Sequence, residues 1–114
     1  MKAVTNIRVS VITVNLNNRE GLQKTIHSVI GQTYPNIEYI VIDGASTDGS
    51  VKIIDDNVSN IHLWRSEADS GIYDAMNKGI ELATGDYLIF LNSGDYFFRP
   101  IVLNCLQLKT IIVT

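Results

Sequence analysis

Apolar positions along the chain follow two alternating patterns. Val9-Ser10-Val11-Ile12-Thr13-Val14 is a short β-branched run and predicts a strand. Beyond Asn15 the spacing changes. Leu22, Ile26, Val29 and Ile30 recur at helical intervals and predict one apolar stripe on a helix from about Arg19 to Gly31. Asn17 or Asn18 can cap its start, and Gly31 followed by Pro35 ends it. The alternation then repeats. Ile37 to Ile42 predicts a second strand, and Val51, Ile54 and Val58 a second helix. Ile61 to Trp64 predicts a third strand. Ile72, Ala75, Met76, Ile80 and Ala83 predict a third helix from about Gly71 to Ala83, capped by Asp69 or Ser70. Tyr87 to Leu91 predicts a fourth strand, apolar enough to be buried on both faces.

Strands alternating with helices argue for an α/β fold: a mostly parallel sheet flanked by helices. Right-handed crossovers then bring the C-terminal end of every strand to one rim, where ligands of such sheets sit. The segments expected there are Asn15 to Asn18, Asp43 to Asp48, Arg65 to Asp69 and Asn92 to Asp95. Polar and acidic groups therefore gather on one edge.

Composition narrows the function. The 114 residues suit one domain, and 46% apolar with 18% charged residues suits a folded core. A net charge of −3 offers no attractive field to a polyanion, so nucleic acid is not expected as a partner. A bound diphosphate would need local helix ends, backbone donors or a metal ion. Cys105 is the only cysteine, reads as a small buried hydrophobe, and fits a reducing compartment. Lys2 and Arg8 precede an apolar run that Asn15, Asn17 and Asn18 interrupt, which makes a poor signal peptide. No run approaches the roughly 20 apolar residues of a membrane span. The expected location is cytoplasmic, or peripheral at a membrane.

Asp43 follows its strand directly. A carboxylate there can accept the imide N–H of uracil or thymine or the N–H groups of guanine, or it can cap the loop backbone. Position alone admits both. Ser46, Thr47 or Asp48 can cap the next helix. In Asn92-Ser93-Gly94-Asp95 a buried strand ends in small and polar residues. Gly94 permits a tight turn, and Asp95 offers a hard oxygen to Mg²⁺ or Mn²⁺, or merely caps the next segment. His27 and His62 are not spaced as a metal pair. No Walker loop or dinucleotide fingerprint follows the first strand.

Taken in order, these segments resemble the family-2 glycosyltransferases. The carrying stretches begin with Val9 to Asn15, Gln32-Thr33-Tyr34 and Tyr39-Ile40-Val41-Ile42-Asp43-Gly44-Ala45-Ser46-Thr47-Asp48-Gly49. Gly71-Ile72-Tyr73-Asp74-Ala75-Met76-Asn77-Lys78-Gly79 and Ala83 to Asp95 complete them. The resemblance implies a Rossmann-like GT-A fold over residues 1–114, lacking the C-terminal acceptor half. It implies a nucleotide-diphosphate sugar as donor, a UDP-sugar being favoured, and a glycan or lipid-linked acceptor. It implies that Thr13 and Asn15 line the nucleotide pocket, that Asp43 contacts the base, and that Asn77 sits in the helix bordering the nucleotide. Ser93 is counted with the nucleotide-binding residues. Asn92 to Asp95 corresponds to the family's metal-binding acidic motif. Asn92 and Gly94 stand where acids are often found, so the resemblance makes Asp95 the principal candidate ligand for Mg²⁺ or Mn²⁺, with Asn92 as a second candidate. Met76 replaces an arginine common in relatives. The family reaction is an inverting transfer to an acceptor hydroxyl, and no residue of this chain is assigned as its base. A stand-alone nucleotide-binding module is the competing reading. A nucleotidylyltransferase lacks its glycine-rich basic loop here, and a phosphoacceptor domain lacks its paired acids.

Overall fold

The computed structural model describes residues 7–97. Four parallel strands form one sheet in the order β3-β2-β1-β4. They are β1 (Val9–Asn15), β2 (Ile37–Asp43), β3 (Leu63–Ser66) and β4 (Tyr87–Phe90). Helices α1 (Arg19–Ile30), α2 (Ser50–Asp56) and α3 (Ile72–Leu82) make the crossovers. Cys105 and Lys2 lie outside the described residues.

Strand geometry sends successive side chains to opposite faces. On one face Val9, Val11, Tyr39 and Val41 pack with Leu22, Ile26 and Val29 of α1 and Ile54 of α2. On the other, Ile12, Val14, Ile40 and Ile42 pack with Ala75 of α3. α3 comes close because of Gly79. A methyl group there would lie 2.5 Å from Ile12 Cγ2.

Several local expectations shift. Asn18 is the cap of α1, its Oδ1 accepting from Gly21 N–H at 3.2 Å. Thr25 takes the buried position that the pattern gave to Ile30, which is exposed. Val58 leaves the stripe of α2, because the helix ends at Asp56 and a short 3₁₀ turn, Val58–Asn60, comes next. That turn tucks Ile61 into the core and delays β3 to Leu63, which pairs with Ile40. β3 is an edge strand and all four residues are exposed. α3 has no side-chain cap: Asp69 binds the N–H of Gly71, which occupies a positive φ of 117°. Ile72 and Ile80 are exposed, because Ala75 and Gly79 face the sheet instead. In β4, Ile89 and Phe90 are buried, whereas Tyr87 and Leu88 are only partly so.

The N-terminal end of the sheet is closed by a buried carboxylate. Glu38 stands opposite Ser10 in register and accepts from its hydroxyl at 2.8 Å. Thr84 donates its N–H and its hydroxyl, each at 2.8 Å. Arg8 pairs with Glu38 at 3.3 Å. Burial raises the Glu38 carboxyl, but the bonds from Thr84, Ser10 and Arg8 outweigh it and hold it at about 2. A depressed carboxylate contributes stability above its unfolded pKa and loses it as pH falls through the folded value. Glu38→Gln should therefore unfold more easily than wild type at neutral pH. That difference should shrink as pH drops from 4.5 toward about 2. Urea midpoints across that range check it, and a pH-independent difference would show that charge is not the cause.

Candidate functional site

β1, β2 and β3 end side by side. Asn15 stands opposite Asp43, and Asp43 opposite Ser66. Residues facing each other across neighbouring strands project to the same side. Asn15 Nδ2 donates to Asp43 Oδ1 at 2.8 Å, and the Ser66 hydroxyl donates to Oδ2 at 2.8 Å. The loop after β2 turns back to donate twice more. Ser46 N–H reaches Oδ2 at 2.9 Å and the Ser46 hydroxyl reaches Oδ1 at 2.6 Å. The row continues into the turn after β4, where the Ser93 hydroxyl donates to Asn15 Oδ1 at 2.7 Å.

Asp43 is wholly buried by this arrangement. Burial alone pushes its carboxyl up, but the hydrogen bonds from Ser46, Asn15 and Ser66 hold it below the usual value. A carboxylate has about four acceptor positions, and donors of this chain fill them. Direct contact with a base therefore requires one of those donors to leave. Thr13 lies behind the rim on the same face. It is wholly buried, and its hydroxyl is 2.8 Å from that of Tyr39. It backs the site from the core and does not form its surface.

The loops are tied to one another at their bases. Asp48 binds Arg19 N–H at 2.9 Å and Ser50 N–H at 3.0 Å, and so closes the first turns of both α1 and α2. The Ser50 hydroxyl, with the two N–H groups, holds the Asp48 carboxyl below its ordinary value. Ser46, an alternative cap, serves Asp43 instead.

A cleft of about 230 Å³ opens between the end of β1, the start of α3 and the turn after β4. Asn15, Leu16, Asn18, Asp69, Asn92 and Ser93 are among the residues lining it. Of the expected site residues, Asn15, Asn92 and Ser93 thus meet in one place. Asn77 does not join them. α3 borders the cleft through its first turn, and Asn77 is exposed further along the helix. Asp95 is partly exposed just past the cleft, and no hydrogen bond to its carboxylate is found among the described residues.

The Asn92–Asp95 turn is held by Thr25 of α1. Thr25 Oγ1 lies 2.6 Å from the Asp95 carbonyl and accepts from Gly94 N–H at 3.0 Å. Asn18 Nδ2 donates to the Ser93 carbonyl at 3.2 Å. Asn92 Oδ1 is buried without a hydrogen-bond partner, a state that calls for a ligand, ion or water. Among the described residues, no three His, Cys, Asp or Glu side chains gather into a metal cluster. The oxygens of Asp95 and Asn92 are nevertheless the hard donors that Mg²⁺ or Mn²⁺ accepts, and such ions commonly complete their shell with phosphates.

Sequence reasoning misses Thr25 and the second bond of Asn18. Thr25 carries a readable signal, a polar residue three positions after Leu22 inside an apolar stripe. Asp69 reads from sequence as a helix cap at the end of the expected rim segment Arg65 to Asp69.

Comparison with known proteins decides the family. The family model described as Glycosyl transferase family 2 matches residues 10–106. The chain belongs to glycosyltransferase family 2. It is 50% identical over 93 residues to an uncharacterized glycosyltransferase of Mycobacterium tuberculosis (strain ATCC 25618 / H37Rv), covering 81% of this chain and 36% of that protein. It is 41% identical over 90 residues to TuaG of Bacillus subtilis (strain 168), a protein named for a glycosyltransferase step in teichuronic acid biosynthesis. That match covers 76% of this chain and 36% of TuaG. The chain thus spans about a third of the length of these relatives. Among solved structures, it matches the mannosyltransferase PcManGT from Pyrobaculum calidifontis, in complex with GDP-Man and Mn²⁺. The TM-score is 0.76 at 24% identity, over 82% of this chain and 29% of that one. Residues 1–349 of TarS from S. aureus, in complex with UDP-GlcNAc, match with a TM-score of 0.72 at 24% identity. They cover 79% of this chain, which spans 27% of that one. These likenesses establish the Rossmann-like part of the GT-A fold.

The family-2 rim rests on the Asp43 carboxylate, and Asp43→Asn tests that. Each carboxylate oxygen accepts one N–H, from Asn15 or from Ser46. Either orientation of the new amide sets its NH₂ group against one of those donors. The variant should lose about 1–3 kcal/mol of stability, seen as a lower urea midpoint at unchanged slope. An unchanged midpoint would show that the network contributes nothing.

Proposed function

We propose that the chain binds the nucleotide-diphosphate sugar of a glycosyltransferase, with a UDP-sugar favoured, and that its share of the reaction is donor binding. The observation that carries this reading is the unpartnered, buried Asn92 Oδ1 beside the cleft, in the turn that presents Asp95. An orphaned acceptor among polar rim residues is what a bound cation or donor group would satisfy. The ligands of PcManGT and TarS, a GDP-sugar with Mn²⁺ and a UDP-sugar, support the same ligand class.

In this reading the sugar passes to an acceptor hydroxyl with inversion, in polysaccharide or glycan assembly. TuaG's name supports that setting. Asn15 and Ser93 face the nucleotide, while Asp43 holds Asn15 in place and Thr13, bonded to Tyr39, packs behind the rim. Asp43 is also the family's candidate for base contact, at the cost of one internal bond. Asn77 acts only through α3. Asp95 and Asn92 would hold Mg²⁺ or Mn²⁺ jointly with the diphosphate. A bound cation neutralises charge on the leaving diphosphate. No described carboxylate is assigned as the base for the acceptor. Asp86 binds Arg8 N–H at the opposite end of the sheet, and Asp74, in the first turn of α3, binds Ser70 N–H and pairs with Lys78.

No helix among the described residues is long and apolar enough to cross a membrane. We propose a cytoplasmic location or a peripheral one at the membrane, where a lipid-linked acceptor would be met.

With so few acids, metal affinity should depend on the donor. UDP should tighten Mn²⁺, and by linkage Mn²⁺ should tighten UDP by the same factor, about fivefold or more. Asp95→Ala should reduce that factor to near one and leave metal-free UDP binding intact. Asp55→Ala, exposed on α2, should leave it unchanged. Isothermal titration with and without Mn²⁺ reads all three. Full Mn²⁺ coupling in Asp95→Ala would remove Asp95 from the site.

A further inference from the structure

Helix α1 carries two stripes side by side. Leu22, Ile26 and Val29 form the apolar one and pack into the core. Asn18, Thr25 and Ser28 recur at helical spacing beside it and form a polar one. The polar stripe faces the turn after β4. Asn18 Nδ2 donates to the Ser93 carbonyl at 3.2 Å. The Thr25 hydroxyl accepts from Gly94 N–H at 3.0 Å, and the Ser28 hydroxyl accepts from Phe97 N–H at 3.1 Å. The two hydroxyls are one helical turn apart, and the two N–H groups they receive are separated by the same number of residues. Phe97 is buried with Leu22, Ile26 and Val29 and fixes the far end. The helix is thus a template on which the turn is laid.

Thr25 is wholly buried, and its one hydroxyl meets the turn twice. It accepts from Gly94 N–H, and its single proton has the Asp95 carbonyl at 2.6 Å as its nearest acceptor. The Gly21 carbonyl, one turn back on α1, competes for that proton at 2.9 Å. Within the turn, Asp95 N–H donates to the Asn92 carbonyl at 2.8 Å. Gly94 takes a positive φ of 101°, which glycine adopts without strain. One side-chain oxygen therefore holds the backbone of both Gly94 and Asp95. What it fixes is the direction in which the Asp95 carboxylate and the Asn92 amide leave that backbone.

We propose that Thr25 is a positioning residue for the cation site, holding the turn so that the oxygens of Asp95 and Asn92 meet one ion. The assignment rests on the reading above, in which those two residues bind Mg²⁺ or Mn²⁺ with the donor diphosphate. Thr25 does not ligate, because its hydroxyl is spent on backbone groups. A site with one carboxylate has little charge with which to hold an ion, so its affinity depends on both oxygens being aimed at once. A turn that wanders offers the pair for only a fraction of the time, and the apparent affinity falls by that fraction. Asn15 and Ser93 are held by Asp43 and Asn18, so nucleotide contacts through them do not pass through Thr25.

Thr25→Val keeps the shape and removes the hydroxyl, and Thr25→Ser keeps the hydroxyl. The readout is the factor by which Mn²⁺ tightens UDP, from isothermal titrations with and without Mn²⁺. Both affinities come from one preparation, so the factor does not depend on the folded fraction. In Thr25→Val it should fall about threefold or more, the scale of a lost hydrogen bond, while metal-free UDP affinity stays within about twofold. Thr25→Ser should stay within about twofold of the wild-type factor, since the bonds remain. Hydrogen exchange on wild type needs no variant. The Gly94 amide should be protected about tenfold or more before any ligand is added. An unprotected Gly94 amide, the full Mn²⁺ factor in Thr25→Val, or a Thr25→Ser as weak as Thr25→Val would overturn the role of Thr25. Loss of coupling in Asp95→Ala would leave the cation reading standing in each of those cases. No Mn²⁺ effect on UDP in folded wild type would overturn both.

Discussion

A buried carboxylate is tolerable only where hydrogen bonds replace the water it has lost. Asp43 meets that demand with donors from Asn15, Ser46 and Ser66. The donors come from the strands on either side and from the loop after β2. Satisfying one charge therefore sets where β1 and β3 end, how that loop folds back, and, through Asn15 and Ser93, where the turn after β4 sits. Glu38 does the same at the other end of the sheet and on the other face. The two acids hold the ends of a sheet whose middle is secured by apolar packing.

That constraint gives the cleft its two unlike ends. The turn after β4 is held between Ser93, Asn18 and Thr25, and it presents an orphaned Asn92 oxygen near Asp95. The loop after β3 is tied to the Asp43 carbonyl and, through Lys78, to α3, and it brings Asp69 to the cleft. Both ends rest on backbone already ordered by the fold. Little conformational entropy remains to be lost on binding, the general advantage of a preorganised site.

The strand–helix alternation was legible because buried parallel strands and amphipathic helices leave distinct periods. The rim was legible as well, since topology alone brings strand ends together. Boundaries were less so. β3 begins two residues late because a 3₁₀ turn, invisible to periodicity, uses Ile61 for the core. α3 turns Ala75 and Gly79 to the sheet, so small residues, not Ile72 and Ile80, define its buried face. At the site, residue type showed that Asp43 mattered but could not show that its oxygens face inward. Asp69 was legible as part of the rim segment after β3 and as a helix cap, but not as the partner of Gly71 N–H packed against Gly44 and Leu16.

The central claim is that the nucleotide binds at the C-terminal rim defined by these bonds. Amide chemical-shift mapping during a UDP titration of the ¹⁵N-labelled chain tests it directly. The account predicts the largest shifts at Leu16, Gly44, Gly71 and Ser93, with little change at Ser10, Thr84 and Gly85 around Glu38. Shifts concentrated around Glu38, or none anywhere at saturating UDP, would contradict it.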